Sequence, residues 1–225
     1  MYGWISIMKC PQRLQKLIYW MPQDSVLIDV GCDHAYLGIF ALQEKRVSRV
    51  ISIDRNEAPL RVAQRNALRA GVLDRMQLRC TDGLENIEIP PHSTLVMAGM
   101  GGKTIKEIVL RISLQKIETL ILQPNRDAHE VRNYLFEQNW GVVDAQIFPQ
   151  GKQHFLSWKS LFMSGVKEHT QWHWHDPFLS KNPSKEWKSM LQRRNVHLTK
   201  LKAASQGKLP PMILCEQKIL EQYLL

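Results

Sequence analysis

The sequence predicts an α/β fold, an open and mainly parallel sheet covered by helices, followed by a helical hairpin at its C-terminal end. Three observations carry that reading. Four apolar runs each finish on a carboxylate or a glycine: Val26–Gly31, Val50–Asp54, Met76–Gly83 and Thr94–Gly102. Near-continuous apolar runs of this length are what strands buried on both faces look like. Helical segments alternate with strands as far as Gln138, and from Gly165 the alternation stops.

Taken in order, a basic helix over Cys10–Tyr19, carrying Arg13 and Lys16 with Lys9 just before it, opens the chain. The first strand, Val26–Val30, runs into Gly31, where backbone can approach a ligand because no side chain intervenes. The second strand ends in Asp54, about 20 residues beyond the glycine turn, where a ribose-binding carboxylate is expected. A helix over Pro59–Ala70 stops at Gly71, a residue type suited to a helix C-terminus. The third strand ends in Asp82-Gly83 and the fourth in Ala98-Gly99-Met100-Gly101-Gly102. Helices over Lys103–Ile112 and Asp127–Gln138 flank the run Leu120–Asn125. Strands Val142–Phe148 and Phe155–Met163, joined through Gly151, add an antiparallel edge.

Beyond Gly165 the chain is irregular and aromatic through Trp172-His-Trp-His-Asp-Pro177. Asn182 as N-cap and Pro183 in the first turn predict a helix start. Trp187, Met190, Leu191, Leu198 and Leu201 form an apolar stripe, Gly207–Pro211 breaks it, and Met212–Leu225 resumes with Ile213, Ile219, Leu220 and Tyr223. Two helices joined by a short turn make an antiparallel hairpin able to form a coiled coil. The expected division is residues 1–164 for the sheet domain and 165–225 for the hairpin. Oligomeric state is left open.

The acids at the strand ends decide the ligand class. A dinucleotide turn would read Gly-x-Gly-x-x-Gly and receive a pyrophosphate at a helix N-terminus. Here Asp33 stands at the second glycine position with Asp29 close by, and two carboxylates would repel a pyrophosphate. They suit a cationic cofactor with an amino-acid end, such as S-adenosylmethionine. Gly99–Gly102 lacks the Gly-Lys-Ser/Thr ending of a phosphate loop.

With 225 residues, 44% of them hydrophobic, the chain can bury a core. No apolar run approaches the roughly 20 residues of a membrane span. Nothing in Met1–Met8 has the character of a signal peptide. Cys10, Cys32, Cys80 and Cys215 show no paired spacing, which fits free thiols in the cytoplasm; Cys32 reads as a small residue in a tight turn. His169, His173, His175 and Asp176 lack the fixed ligand geometry of a zinc site, so no metal is expected.

Net charge is +9 and the pI about 9.5, a balance that favours polyanions. Residues 165–225 carry ten Lys/Arg against five Asp/Glu, over half of the excess. Lys185, Lys188, Arg193, Arg194, Lys200 and Lys202 lie on the first hairpin helix. Arg61, Arg65 and Arg69 repeat at every fourth residue on one helix face. Both sets are candidate phosphate contacts.

Asp29-Val-Gly-Cys-Asp-His-Ala-Tyr-Leu37, Ala98-Gly-Met-Gly-Gly102 and Leu120-Ile-Leu-Gln-Pro-Asn125, in that order, resemble the TrmK family, bacterial S-adenosylmethionine-dependent methyltransferases that modify N1 of adenine 22 in tRNA. The resemblance covers residues 11–163 and includes Arg13-Leu14. It implies a Rossmann-like methyltransferase sheet, S-adenosyl-L-methionine as cofactor and tRNA as substrate. It further implies Asp29, Gly31 and Asp33 around the methionine end, Asp54 at the ribose, and Asp82 with Gly83 at the adenine of the cofactor. Ala98, Gly99, Met100 and Gly101 would line the methyl-transfer channel. His34 and Asn125 would orient the target base and Tyr36 would stack on it, with Asp33 beside them. Two other classes fit parts of the pattern: a catalytically silent RNA-binding module that keeps the fold, and a Rossmann-type enzyme such as a nicotinamide-dependent oxidoreductase. The carboxylate at Asp33 opposes the second, and the intact acids Asp29, Asp54 and Asp82 oppose the first.

Overall fold

The computed structural model describes residues 9–150, 153–163, 179, 183–208 and 211–224. The strands are β1 (Ser25–Val30), β2 (Val47–Asp54), β3 (Met76–Cys80), β4 (Ser93–Ala98), β5 (Ile117–Gln123), β6 (Trp140–Gln150) and β7 (Gln153–Phe162). They form one sheet in the order β3-β2-β1-β4-β5-β7-β6. The first five are mutually parallel and β7 runs antiparallel to β5. The expected strands all form, most starting a few residues earlier than the apolar runs suggest.

Two apolar layers sandwich the sheet. On one face lie α1 (Gln12–Trp20), α2 (Tyr36–Gln43) and α3 (Glu57–Arg69), packing Leu17, Phe40, Leu60 and Ala63 against Leu27, Val50 and Val96. On the other, α4 (Gly102–Leu110) and α5 (Ala128–Glu137) bring Ile105, Val109, Val131 and Leu135 onto Ile28, Leu95 and Leu120. Adjacent strand positions, such as Leu27 and Ile28, serve opposite layers, as the pleat requires. Every residue of β1 is therefore buried, Asp29 included.

Helix α1 is fastened at its far end: Trp20 Nε1 and Lys16 Nζ both donate to Asp144 Oδ2 of β6, at 2.6 and 3.2 Å. Gly71, with φ of +68°, follows α3 as expected.

The C-terminal pair is α6 (Lys185–Ala204) and α7 (Pro211–Leu224). They run antiparallel, because Trp187 meets Tyr223 edge-on at 5.4 Å while Arg194 meets Glu216. The helix start differs from the sequence reading. Ser184 is the N-cap, its Oγ accepting from Trp187 N at 3.1 Å. A serine hydroxyl three residues before the amide fits that geometry, and Pro183 lies outside the helix. The stripe residues Trp187, Leu191, Leu198 and Leu220 pack onto Ile147 of β6, with Ala145 and Leu156 alongside, so the hairpin is seated on the antiparallel edge of the sheet. The boundary expected near residue 165, the turn at Gly151 and the Trp172–Asp176 patch with His169 lie outside the described residues.

Candidate active site

The candidate site is the crevice at the C-terminal ends of β1, β2, β4 and β5, where parallel strands leave room between diverging loops. The turn after β1 is its centre. Gly31, Asp33 and Ala35 have φ of +74°, +52° and +58°. Three left-handed residues in five is an uncommon conformation that surrounding contacts must enforce. Two amides, of Gly31 and Cys32, donate to Ile53 O of β2 at 2.8 and 3.0 Å. Asp33 N donates to Asp54 Oδ2 at 3.3 Å. From α3, Asn66 Nδ2 donates to His34 O at 3.2 Å. Asn66 was not legible as a site residue, because this side-chain hydrogen bond joins segments 32 positions apart.

The acids fall into two environments. Asp29 is 4% exposed, and burial, reinforced by the charge of Asp54, pushes its pKa up to about 7. Asp54 lies at the rim, with its other oxygen accepting from Asn56 N at 2.9 Å. The ionised form of Asp29, disfavoured by burial and by the charge of Asp54, will be stabilised by an incoming cation. Cys32, buried beside them, has its thiol pKa raised by burial first and then by Asp29 and Asp54, which leaves it no character as a nucleophile.

Met100 reaches across the crevice. A β-carbon on Gly31 would stand 2.4 Å from Met100 Cε, so the glycine leaves room for the thioether. Gly102 is the tightest position: a β-carbon there would meet the backbone oxygen of Asp127 at 2.2 Å, and Gly102 N donates to Arg126 O at 2.9 Å. The glycines of this turn therefore seat α4 against the loop before α5. Ala98 packs into the α1–α3 layer and Gly99 N donates to Gln123 O at 3.0 Å.

Asn125 belongs to this turn. Its Nδ2 donates to Gly99 O at 2.6 Å, its backbone N donates to Met100 O at 2.9 Å, and its Oδ1 accepts from Gln123 Nε2 at 3.2 Å. The amide expected to orient a base is thus engaged with the chain's own backbone. His34 and Tyr36 meet edge-on at 6.1 Å, and Tyr36 stacks on Phe40 at 6.5 Å. His34 Nδ1 is buried without a hydrogen bond, 3.4 Å from Asp33 Oδ1.

Asp82 and Gly83 sit at the edge of the crevice. Asp82 is exposed and 3.4 Å from Arg111 Nη1, and Gly83 has φ of +62° with Ile108 against it. Arg61, Arg65 and Arg69 point outward from α3, Arg61 paired with Glu57 at 3.1 Å. On α6, Lys185, Lys188, Arg193, Lys200 and Lys202 are exposed. Arg194 differs. It lies on the same stripe as Trp187, Leu191 and Leu198, and it donates to both oxygens of Glu216, itself 9% exposed, at 2.7 and 3.0 Å. The sequence groups it with the exposed cations of that helix, but its side chain is part of the helix seam.

An open parallel sheet with an antiparallel edge, and acids gathered at its strand ends, define a Rossmann-like methyltransferase. The chain belongs to the methyltransferase-domain family, which matches it over residues 10–156. Among curated proteins it is similar to the tRNA (adenine(22)-N(1))-methyltransferase of Bacillus subtilis, 32% identical over 146 residues. That similarity spans 64% of this chain and 61% of the relative. Among solved structures it resembles a protein of the NADB-Rossmann superfamily from Streptococcus agalactiae, with a TM-score of 0.80 and 27% identity, over 96% of this chain and 95% of that one. Bacillus subtilis TrmK superposes with a TM-score of 0.79 at 24% identity, over 96% of each chain. TrmK of M. capricolum, solved with S-adenosyl-homocysteine, superposes with a TM-score of 0.79 at 22% identity, over 95% of this chain and 96% of that one.

Proposed function

We propose that the chain is an S-adenosylmethionine-dependent tRNA methyltransferase that modifies N1 of adenine 22. The observation that carries the reading is the acidic pair Asp29 and Asp54 beside a glycine that admits close approach. The donor set fits the cofactor. The ammonium of the cofactor's amino-acid end offsets the burial and the neighbouring charge of Asp54 that raise the Asp29 pKa to about 7, and Asp54 takes a ribose hydroxyl. Two of the relatives named above are tRNA methyltransferases of Bacillus subtilis and a third holds the demethylated cofactor, which agrees with this assignment.

The bound cofactor supplies an electrophilic methyl group. This chain's residues bind, orient and desolvate. Adenine N1 carries its lone pair at neutral pH, so no base need remove a proton, in keeping with the inert Cys32. Enzymes that attack the exocyclic amine of adenine usually present Asn/Asp-Pro-Pro-Tyr/Phe after the fourth strand; here Gly99-Met-Gly-Gly102 stands in that place. Tyr36, half-buried at the crevice, is the stacking partner for an extruded base, with His34 beside it. Gly99–Gly101 line the approach to the methyl group, and Asp82 with Gly83 forms the end toward the cofactor's adenine. The exposed cations of α3 and α6 track phosphates, and residues 165–225 act as a docking hairpin beside the catalytic domain 1–164. No helix among the described residues is long and apolar enough to cross a membrane, and a tRNA substrate puts the enzyme in the cytoplasm.

The test is transfer of labelled methyl from S-adenosylmethionine to bulk tRNA, followed by nucleoside analysis. Label in 1-methyladenosine is expected. Label absent from tRNA, or equal transfer to free adenosine, overturns the assignment. Calorimetric heat with NADH and none with S-adenosylmethionine would return the oxidoreductase reading.

A further inference from the structure

One group enters the crevice from the far end of the sequence. Arg13, in the first turn of α1, donates from Nη1 to Oε1 of Gln123 at the end of β5. Gln123 is fully buried, so its amide must be satisfied internally. Because its oxygen accepts from Arg13, its nitrogen is the end that faces Asn125, and Gln123 Nε2 donates to Asn125 Oδ1 at 3.2 Å. With its oxygen so engaged, Asn125 turns its own nitrogen to Gly99 O, 2.6 Å away. The chain of bonds thus has one polarity, set at its head by a group that can only donate. It ends on the turn that carries Gly99, Met100 and Gly101.

We infer that Arg13 is a positioning residue: through Gln123 and Asn125 it fixes the Gly99–Gly101 turn in the conformation that methyl transfer requires. Helix α1 is a suitable anchor. Its other end is tied to Asp144 by Trp20 and Lys16, and Leu17 and Ile18 are buried in the core. A rigid element therefore holds the head of the relay, and amide orientation transmits the constraint to the loop. Removing the donor frees both amides to turn over, which places an oxygen against Gly99 O and loosens the turn. Such a displacement acts on alignment in the transition state, with substrate affinity little changed.

The inference rests on the proposed methyl transfer for its kinetic readout and on hydrogen exchange for a readout without it. Arg13→Met keeps the stem and removes the donor. It should lower kcat about tenfold with KM for tRNA and cofactor within about twofold, and should speed exchange of the 99–103 amides. Arg13→Lys, which still donates, should recover most of kcat. Gln123→Glu keeps an acceptor for Arg13 but cannot donate to Asn125. A mere brace would be satisfied by that variant, whereas the relay predicts a fall in kcat like that of Arg13→Met. Unchanged kcat in either Arg13→Met or Gln123→Glu, or a loss confined to KM for tRNA, overturns the inference. If wild-type protein methylates no tRNA, the proposed function fails by itself, and unchanged 99–103 exchange in both variants then decides against the relay.

Discussion

Replacing Asp29 by asparagine should stabilise this protein while disabling its cofactor site. Folding buries the carboxyl in β1 and, with Asp54 nearby, lifts its pKa from 3.8 to about 7. The ionised form is then costlier in the fold than in the unfolded chain by about 4 kcal/mol. Because the folded pKa is raised, the native state holds a proton that the unfolded chain has released. Wild-type stability therefore falls as pH rises from about 4 to about 7 and is level above that. Asparagine removes this slope, although its amide must find partners in a dry pocket at a cost of about 1–3 kcal/mol. The net gain at pH 8 is about 2 kcal/mol, a rise in Tm of roughly 4–8 °C; it vanishes near pH 5 and becomes a loss of about 1–3 kcal/mol near pH 4, where only the amide cost remains. At the same time the variant loses a charged acceptor, and affinity for S-adenosylhomocysteine should drop about 10- to 100-fold. Thermal unfolding at pH 5 and pH 8 with calorimetric titration makes the comparison. A variant that melts below wild type at pH 8, or that binds the ligand as tightly, refutes the reasoning.

Four further outcomes follow from the geometry. Gly102→Ala drives a β-carbon into backbone at Asp127 and should destabilise by about 2–3 kcal/mol, read as a lower denaturant midpoint. Arg194→Ala leaves Glu216 buried without its bidentate partner and should cost about 2–3 kcal/mol in the C-terminal hairpin, visible as an early loss of helical circular dichroism. Lys200→Glu with Lys202→Glu, both exposed, should weaken tRNA binding and flatten its salt dependence in gel shifts while leaving cofactor affinity unchanged. An aromatic disulfide reagent at pH 8 should modify exposed Cys80 quickly and leave Cys32 unmodified until unfolding, since Cys32 is buried with its thiol pKa raised.

The sequence by itself determined the sheet and its order of elements, because burial on both faces forces Val26–Val30, Val50–Ile53 and Leu95–Met97 to be apolar, and apolar runs are visible one residue at a time. It also determined the acids at the strand ends, because a parallel sheet brings those ends together whatever the loops do. The glycine turn after β4 was legible for the same reason, although only the packing explains Gly102, whose constraint is the backbone of Asp127. Tertiary structure alone decided which polar groups are committed to one another. Arg194 and Arg193 are adjacent in sequence and equally charged, yet the helix stripe turns Arg194 into the seam and Arg193 to the surface. Asn125 reads as a free amide until Gly99 O is found beside it, and Arg13 reads as one more surface cation until α1 lies across the sheet and carries it to Gln123. Apolar burial leaves a periodic trace along the chain, whereas a hydrogen bond between residues 110 positions apart leaves none. Local pattern can therefore place the candidate site, and only the packed fold reveals what holds it in shape.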